Sequence, residues 1–544
     1  MPESKSGNDA ENDLQSLLDR ALIADPVESA EQLAGFLVRT DLEAISDDEL
    51  ERLVGEIEPV VERTVVALRR ALRQSPLPMT DRARSQLNAL FDLYRATQVL
   101  ANLKVDLAHK EKHDGKRLAK AYRERVEWAA QLILDCYMLY VSVPQPLLAD
   151  LHQFARTAFR ELEHDRTGAR DEVRDVYVAI LLLGMVNPYS LTIDEMTVLN
   201  GCLQKVAGKV RITSNKPGGS ARFVDMTGRI APHVAFSGGQ APADASVFVD
   251  VERLYDSAVA GSLDSECRVA LMTFLRKLHF FLGPREKRVH DPHAGPGERS
   301  LVTIGFHSVH RRLLDEMFYS VPASEHLTFS GLDWEGIERP VHGEVNRGPS
   351  IRDFKLEMDF GRKTDLDWEA LPDANDNRQP QVRVNEPAVW DVVNLSERGL
   401  RLHWRLSDNS RAAVDELILV ERDPDEEVGG LDAVVGIGVI RWVRHLDQEN
   451  RTVDMGVERL PGNWRAYFAY PADGSPQTSG SWPVLVRLDE DKHIDRLIVP
   501  PDLPERGRRV TVIREQGDDI NMNLERIVMV GSQLVVMEAT SDRH

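Results

Sequence analysis

The chain has 544 residues, of which 42% are hydrophobic and 28% charged, and its formal net charge is -21. A chain of this length exceeds what one hydrophobic core holds, so we expect about two to four domains. The negative charge argues against a general affinity for nucleic acid or anionic membranes, because those surfaces attract an excess of Lys and Arg.

The three cysteines, Cys136, Cys202 and Cys267, lie far apart in the sequence and show no C-x-x-C spacing. This usage is typical of reduced thiols, and it predicts neither a metal site nor a disulfide. The first ten residues are polar and acidic, and no apolar run reaches the about 18 residues that a membrane span needs. We therefore expect a cytoplasmic protein without membrane insertion.

Residues 1–210 predict a helical domain. After the acidic start at Asp47, apolar residues between Leu50 and Val61 recur at three- and four-residue steps. Two long amphipathic segments follow near residues 80–112 and 115–141. Without a fixed repeat period, the pattern predicts an all-α helical bundle or an array of helix pairs. We expect this module to bind protein partners.

Residues 211–330 predict a small mixed α/β region, in which short apolar runs are separated by Gly- and Pro-rich turns. Strands are expected at residues 246–250 and 300–306, and helices at residues 264–282 and 308–318. Residues 331–386 are polar and acidic and contain several Pro and Asn, which favours a linker or long loop.

Residues 387–475 and 480–544 predict β structure. Apolar runs around Trp390 and Trp404 flank a polar turn, and Leu400, Leu402 and Trp404 alternate with polar residues as in a half-buried strand. Short strands after residue 480 indicate a small β domain or an extension of the first barrel. The whole chain is therefore predicted to be a multidomain α+β protein.

The turn Asn394-Leu-Ser-Glu-Arg-Gly399 resembles the (D/N)-x-S-x-x-G motif of the PilZ domain family, bacterial β-barrels that bind cyclic di-GMP. The apolar runs at residues 438–443 and 454–457 suit the following strands of such a barrel, so the resemblance covers residues 385–475. It implies a barrel that binds cyclic di-GMP through Asn394, Ser396 and Gly399, with Arg398 near a phosphate.

The family also has an R-x-x-x-R segment just before its first strand, and this sequence departs from that pattern. Arg378 and Arg383 are the nearest stand-ins, but five positions separate them instead of four. Arginine suits phosphates and guanine because its planar fork binds two acceptors and stacks on flat rings. Arg401 and Arg405 have the expected spacing but follow the motif, where they form a cationic wall or pair with acids on the next strand.

No catalytic motif occurs, so the sequence predicts no catalytic residue and no enzyme. The histidines His290, His293, His307 and His310 are expected to be solvated loop residues that bind no metal. Our first hypothesis is a cyclic di-GMP-responsive effector that needs no cofactor. The alternative is a degenerate PilZ-like adaptor or scaffold that binds protein partners and not the nucleotide. A third hypothesis is an enzyme whose site lies in residues 211–330.

Overall fold

The computed structural model describes Leu18 and most of residues 24–319 and 387–541. Within these two ranges the undescribed residues are 40–44, 74, 76, 78, 111–114, 164–167, 214–220, 228–232, 236–245, 260–262, 283–292, 295–298, 397, 406–411, 423–435, 448–451, 473–480, 490–492, 502, 504–508, 514–518 and 532–533. The chain divides into two compact units, Met1–Arg288 with Arg444–Arg451, and Val289–Val443 with Thr452–His544. The predicted linker, residues 331–386, lies outside the described residues.

The first unit contains a helical array. Its main helices are Pro26–Arg39 (α1), Asp47–Arg73 (α2), Asp81–Lys110 (α3), Gly115–Met138 (α4), Gln145–Glu161 (α5), Ala169–Met185 (α6) and Ile193–Val206 (α7). Helix α2 begins where the sequence predicts it, because the Ser46 hydroxyl and the Glu49 carboxylate cap its first turn. Thr192 and Glu195 form the same capping box at the start of α7. The predicted all-α region is confirmed.

Partly buried ion pairs join neighbouring helices of the array. The Arg69 guanidinium on α2 lies 2.6 Å from Asp135 on α4, and the Asp135 side chain is 4% exposed. Burial still raises the pKa of the Asp135 carboxyl, because it opposes the charged form more strongly than Arg69 favours it. Lys104 on α3 binds Glu124 on α4 at 2.7 Å and also contacts Glu58 on α2.

A small sheet and two further helices complete the first unit. The strands Arg211–Thr213 (β1), Ala221–Asp225 (β2), His233–Ala235 (β3) and Ser246–Asp250 (β4) pair in the order β1-β4-β2-β3, and the helices Glu252–Val259 (α8) and Ser265–Leu282 (α9) follow. Cys202 on α7 and Cys267 on α9 form a disulfide. The prediction of reduced thiols is therefore wrong for this pair, because packing of α9 against α7 brings together cysteines that are 65 residues apart.

The segment Arg444–Arg451 also belongs to the first unit. The backbone N–H of His445 donates to the Tyr140 carbonyl at 2.8 Å, and the Arg444 guanidinium lies 5.4 Å from the centroid of the Tyr189 ring. These contacts explain why a short piece of chain from the C-terminal half groups with the helices.

The second unit contains two β-barrels. The strands of the first are Arg299–Ile304 (β6), Ala388–Ser396 (β7), Gly399–Arg405 (β8), Leu417–Arg422 (β9), Gly436–Asp447 (β10) and Thr452–Arg459 (β11). They pair in the order β7-β6-β9-β10-β11-β8, and the β7–β8 pairing closes the ring. A short strand, His293–Ala294 (β5), pairs with β7 at Leu395 and Asn394.

The strands of the second barrel are Asn463–Pro471 (β12), Trp482–Leu488 (β13), Ile494–Val499 (β14), Arg509–Ile513 (β15), Ile520–Val530 (β16) and Val535–Ser541 (β17). They close in the order β12-β13-β14-β17-β16-β15. The multidomain α+β class predicted from the sequence is thus confirmed.

Two strands lie in a different context from their neighbours in sequence. Strand β6, within the predicted mixed region 211–330, belongs to the first barrel because it pairs with both β7 and β9. Strand β12, within the predicted barrel range 387–475, belongs to the second barrel. The partners of β6 are distant in sequence, and local hydrophobic patterns carry no information about such pairing.

One helix, Phe306–Tyr319 (α10), packs between strands of both barrels. Its buried residues Phe306, Val309, Leu313 and Leu314 share a hydrophobic cluster with strands β9 and β10 of the first barrel and β12, β13, β14 and β17 of the second. Burying each such side chain contributes roughly 1.5–3 kcal/mol. Arg312 on α10 also binds Glu421 on β9 through two nitrogens at 3.0–3.1 Å.

Among the described helices, none is long and apolar enough to cross a membrane.

Candidate ligand site on the first barrel

The turn that resembles the PilZ motif is closed by one side chain. The Ser396 hydroxyl accepts a hydrogen bond from the Gly399 N–H at 3.1 Å and donates to the Gly399 carbonyl at 3.0 Å. A Cβ atom at Gly399 would lie 2.7 Å from the Val457 carbonyl oxygen on β11, closer than real side chains come. Ser396 and Gly399 therefore fix the turn and the close approach of β8 to β11, as the strand-turn-strand prediction requires.

Asn394 and Arg398 occupy the two sides of this turn. Asn394 is half-buried and lies directly opposite Arg401 on β8, after a register shift between Val392 and Asn394. Arg398 is exposed, and its carbonyl accepts from the Arg459 N–H at 3.0 Å. The structure thus brings all four motif residues to one end of β7 and β8. Arg378 and Arg383 lie outside the described residues.

The strand β8 separates a buried face from an outward face. Leu400, Leu402 and Trp404 are at most 6% exposed, and the Trp404 ring stacks on Trp390 with centroids 5.2 Å apart. Because side chains alternate along a strand, Arg401 and His403 point to the opposite, outward face. The predicted alternation of this strand is therefore correct.

Arg401 and His403 share one carboxylate. Arg401 Nε lies 2.9 Å from Asp454 Oδ2, and His403 Nδ1 lies 2.7 Å from Asp454 Oδ1. The Asp454 side chain is 2% exposed, whereas that of Arg401 is 40% exposed. Of the two roles that the sequence left open for Arg401, pairing with an acid on the next strand is therefore present. A buried carboxylate needs such partners, because burial without them is costly.

Trp442 on β10 covers a glycine of β11 that lies beside Arg401. Gly456 lies directly opposite Arg401, and a Cβ atom at Gly456 would fall 2.0 Å from Nε1 of Trp442 on β10. The Trp442 indole therefore occupies the space above Gly456, on the same outward face as Arg401. Neither Trp442 nor Asp454 was predicted from the sequence as a site residue. For Asp454 the available signal was a polar or small residue at every second position of β11.

These four residues form a row across four adjacent strands, which we call the outward row: Asn394 on β7, Arg401 on β8, Gly456 on β11 and Trp442 on β10, whose indole covers Gly456. With strands about 4.8 Å apart, three spacings span roughly 14 Å. The row offers an amide, a guanidinium held in place by Asp454, and an aromatic surface. Amides and guanidinium groups bind base edges and phosphates, and aromatic rings stack on bases.

The histidine cluster predicted to be solvated is partly buried. His310 on α10 is 4% exposed and donates from Nε2 to the Tyr467 carbonyl at 2.8 Å, and burial lowers the pKa of His310 to about 4. His307 is exposed, as predicted, although it lies on α10 and not in a loop. His290 lies outside the described residues. Among the described residues, no group of three or more His, Cys, Asp or Glu could hold a metal ion.

The comparisons with known proteins concern the other half of the chain. Residues 12–217 match a family model described as the N-terminal domain of the cyclic-di-GMP receptor FimW. This range covers the helical array α1–α7 and is less than half of the chain. No curated protein and no solved structure matches. The helical array is therefore similar to the N-terminal domain of a cyclic-di-GMP receptor, whereas the sequence resemblance described above lies on the first barrel.

Proposed function

We propose that the protein is a non-enzymatic effector that binds cyclic di-GMP on the outward face of a PilZ-like first barrel. The observation that carries the proposal is the outward row, which adjoins the turn closed by Ser396 and Gly399. The similarity of residues 12–217 to the N-terminal domain of a cyclic-di-GMP receptor supports the same ligand independently.

The chemistry of the face suits an anionic dinucleotide. Arg398 is exposed at the turn, where a guanidinium can bind a phosphate through two nitrogens. Nε and Nη2 of Arg401 engage Asp454, so its orientation is fixed before a ligand arrives. Such preorganisation reduces the entropy lost on binding. Arg378 and Arg383 remain predicted phosphate contacts from the sequence.

The helical array is the responding module in this proposal. Strand β10 carries Trp442 and ends at residues that group with the helical unit, among them Arg444 and His445. A ligand that binds two arrangements of this strand with different affinity shifts the balance between them. Protein partners of the array would then sense the nucleotide.

Calorimetric titration of cyclic di-GMP into the full chain tests the proposal. Arg401→Ala and Arg398→Ala are expected to weaken binding by about 10-fold or more, because a hydrogen bond to a charged group is worth roughly 1.5–3 kcal/mol. Arg465→Ala is the matched control, since Arg465 is an exposed arginine on β12 of the second barrel and its removal should change nothing.

Absence of binding heat with the unmodified protein would contradict the proposal. The adaptor hypothesis, in which the barrel binds protein partners and no nucleotide, would then account for the same face. Equal weakening by Arg398→Ala and Arg465→Ala would also contradict the proposed location, because it would indicate a general effect of positive charge.

A further inference from the structure

We propose that Trp442 is the base-stacking residue of this site and that, with Arg401, it selects guanine over adenine. This inference rests on the proposed function and deepens it. Its structural basis is Gly456: any side chain at that position would occupy the space of the indole, since even a Cβ atom would lie 2.0 Å from Nε1 and 2.3 Å from Cε2 of Trp442. The absence of a side chain therefore seats the indole close against β11.

The space above Gly456 places the Trp442 indole beside the Arg401 guanidinium, which binds Asp454. Gly456 is the direct partner of Arg401, and directly opposed positions of antiparallel strands have Cβ positions roughly 5 Å apart on one face. Trp442 is half-buried, so part of its ring remains accessible. A base that stacks on this ring has its edge toward the Arg401 guanidinium and, one strand further, the Asn394 amide.

Base identity follows from hydrogen-bond polarity. Guanine presents two acceptors, O6 and N7, to which a guanidinium donates in a bidentate manner. Adenine presents an amine donor in place of O6, which faces the donors of Arg401 without a bond. The site is therefore expected to prefer a guanine dinucleotide over its adenine counterpart.

Two variants separate stacking from simple coverage of Gly456. Trp442→Phe keeps a flat ring and Trp442→Leu keeps an apolar cover without one. In calorimetric titrations of the full chain, we expect Trp442→Phe to bind cyclic di-GMP within about 3-fold of the unmodified protein and Trp442→Leu about 10-fold more weakly, in line with stacking energies of roughly 1–3 kcal/mol per base. The unmodified protein should bind cyclic di-AMP about 10-fold more weakly than it binds cyclic di-GMP.

The possible results distinguish a failure of this inference from a failure of the proposed function. If the unmodified protein binds cyclic di-GMP and Trp442→Leu binds equally well, the stacking role is overturned and the effector proposal stands. Equal affinity of the unmodified protein for the two dinucleotides overturns the base selection. If the unmodified protein binds neither dinucleotide, the inference and the proposed function both fail.

A second inference rests on a different observation, the disulfide of the first unit. We infer that Cys202 and Cys267 form a reversible redox link between α7 and α9. Cys267 lies in the first turn of α9, and its backbone N–H donates to Asp264 Oδ1 at 2.8 Å. Lys205 Nζ lies 3.6 Å from Cys267 Sγ and 2.8 Å from Asp264 Oδ2.

These surroundings favour a reactive thiolate at Cys267. A helix N-terminus and the Lys205 ammonium group favour negative charge on sulfur, whereas the Asp264 carboxylate beside them opposes it. Both cysteines are 3% exposed, but the Lys205 and Asp264 side chains beside them are 57% and 43% exposed, so the pair lies just below the surface. By contrast, Cys136 is fully buried, and burial raises its pKa.

Hydrogen peroxide is the oxidant that the reaction requires. The Cys267 thiolate attacks one peroxide oxygen, the O–O bond breaks, and a sulfenic acid and hydroxide form. The Cys202 thiolate then displaces hydroxide from that sulfur, and the S–S bond forms. Each hydroxide takes a thiol proton, so two thiols and one peroxide give one disulfide and two water molecules. A dithiol reductant reverses the link.

The link has a defined structural consequence. Cys202 lies within the range 12–217 that matches the receptor family, whereas Cys267 lies outside it. Oxidation therefore joins α9 covalently to the helical array, and reduction leaves only noncovalent packing between them.

Alkylation with N-ethylmaleimide and mass spectrometry of the full chain test this link. After reduction with dithiothreitol, both Cys202 and Cys267 should be labelled under native conditions, and equimolar peroxide should protect both. Lys205→Met should slow peroxide protection about 5-fold, while Lys209→Met, which removes an exposed lysine just after the same helix, should leave the rate unchanged.

Three results would overturn the inference. Resistance of the disulfide to dithiothreitol in the folded protein would make it a permanent structural bond. Undiminished labelling after peroxide would exclude the oxidation step. Equal oxidation rates for Lys205→Met and Lys209→Met would show that Lys205 does not activate the Cys267 thiolate.

Discussion

The two barrels have the same number of strands, but a paired carboxylate of the first barrel is much more buried than one of the second. In the first barrel, Asp454 is 2% exposed and holds Arg401 and His403. In the second, Asp495 is 37% exposed and pairs with Arg487, whose hydrogen bond lowers the pKa of the Asp495 carboxyl. Exposed pairs of this kind contribute little to stability, whereas a buried carboxylate depends on its partners. The comparison shows a buried, fully paired carboxylate on one barrel and a more exposed ion pair on the other.

The largest expected effect comes from removing the buried carboxylate. Asp454→Ala should lower the free energy of unfolding by about 3 kcal/mol, because it removes the hydrogen bonds from Arg401 and His403 to a charged group, each worth roughly 1.5–3 kcal/mol. Asp495→Ala in the second barrel should change it by an amount near the experimental error. Urea unfolding followed by tryptophan fluorescence measures both. Equal effects of the two substitutions would remove the distinction between the barrels.

The core that the two barrels share should depend on pH through His310. Burial lowers its folded-state pKa to about 4, below the unfolded value of about 6.5, so the unfolded chain binds the proton more readily. Stability from this residue is therefore complete above about pH 6.5 and is lost as pH falls toward 4, by roughly 3 kcal/mol. His310→Gln, which keeps a donor for the Tyr467 carbonyl, should lose correspondingly less stability between pH 7 and 4.

The control for that measurement is His493→Gln, which replaces a 75% exposed histidine of the second barrel. It should have the same pH dependence as the unmodified protein. If His310→Gln also keeps the full pH dependence, His310 is not the group that titrates.

A smaller effect is expected from adding a side chain at Gly456, in the space that the Trp442 indole occupies. Gly456→Ala should destabilise the first barrel by about 1–3 kcal/mol and weaken nucleotide binding, because its Cβ displaces the indole. Gly436→Ala, on β10 of the same barrel, meets no atom nearer than 3.7 Å and should be tolerated. Thermal unfolding and calorimetric titration report the two consequences. Unchanged binding by Gly456→Ala would show that the indole position is irrelevant to the ligand.

The sequence predicted those parts of the molecule that local patterns determine. The start of α2 at Asp47, the alternation of Leu400, Leu402 and Trp404, and the turn at Ser396 and Gly399 each depend on residues a few positions apart, although the cap of α2 is Ser46 and not the predicted Asp47. Their periods and turn chemistry are visible in the chain itself.

The missed features all depend on distant partners. Strand β6 joins the first barrel through β7 and β9, and Cys202 meets Cys267 through helix packing. Asp454 and Trp442 became candidates only when strand register placed them beside Arg401. A pattern in one segment does not specify the register of another, so these contacts required the structure.

Hydrogen-exchange mass spectrometry of the full chain with and without cyclic di-GMP tests the central claim most directly. The outward face of the first barrel is the proposed site, so slower exchange is predicted in peptides from β8, β10 and β11, with no change in β13 and β14 of the second barrel. Slower exchange confined to the helical array α1–α7, or to the second barrel, would contradict the account.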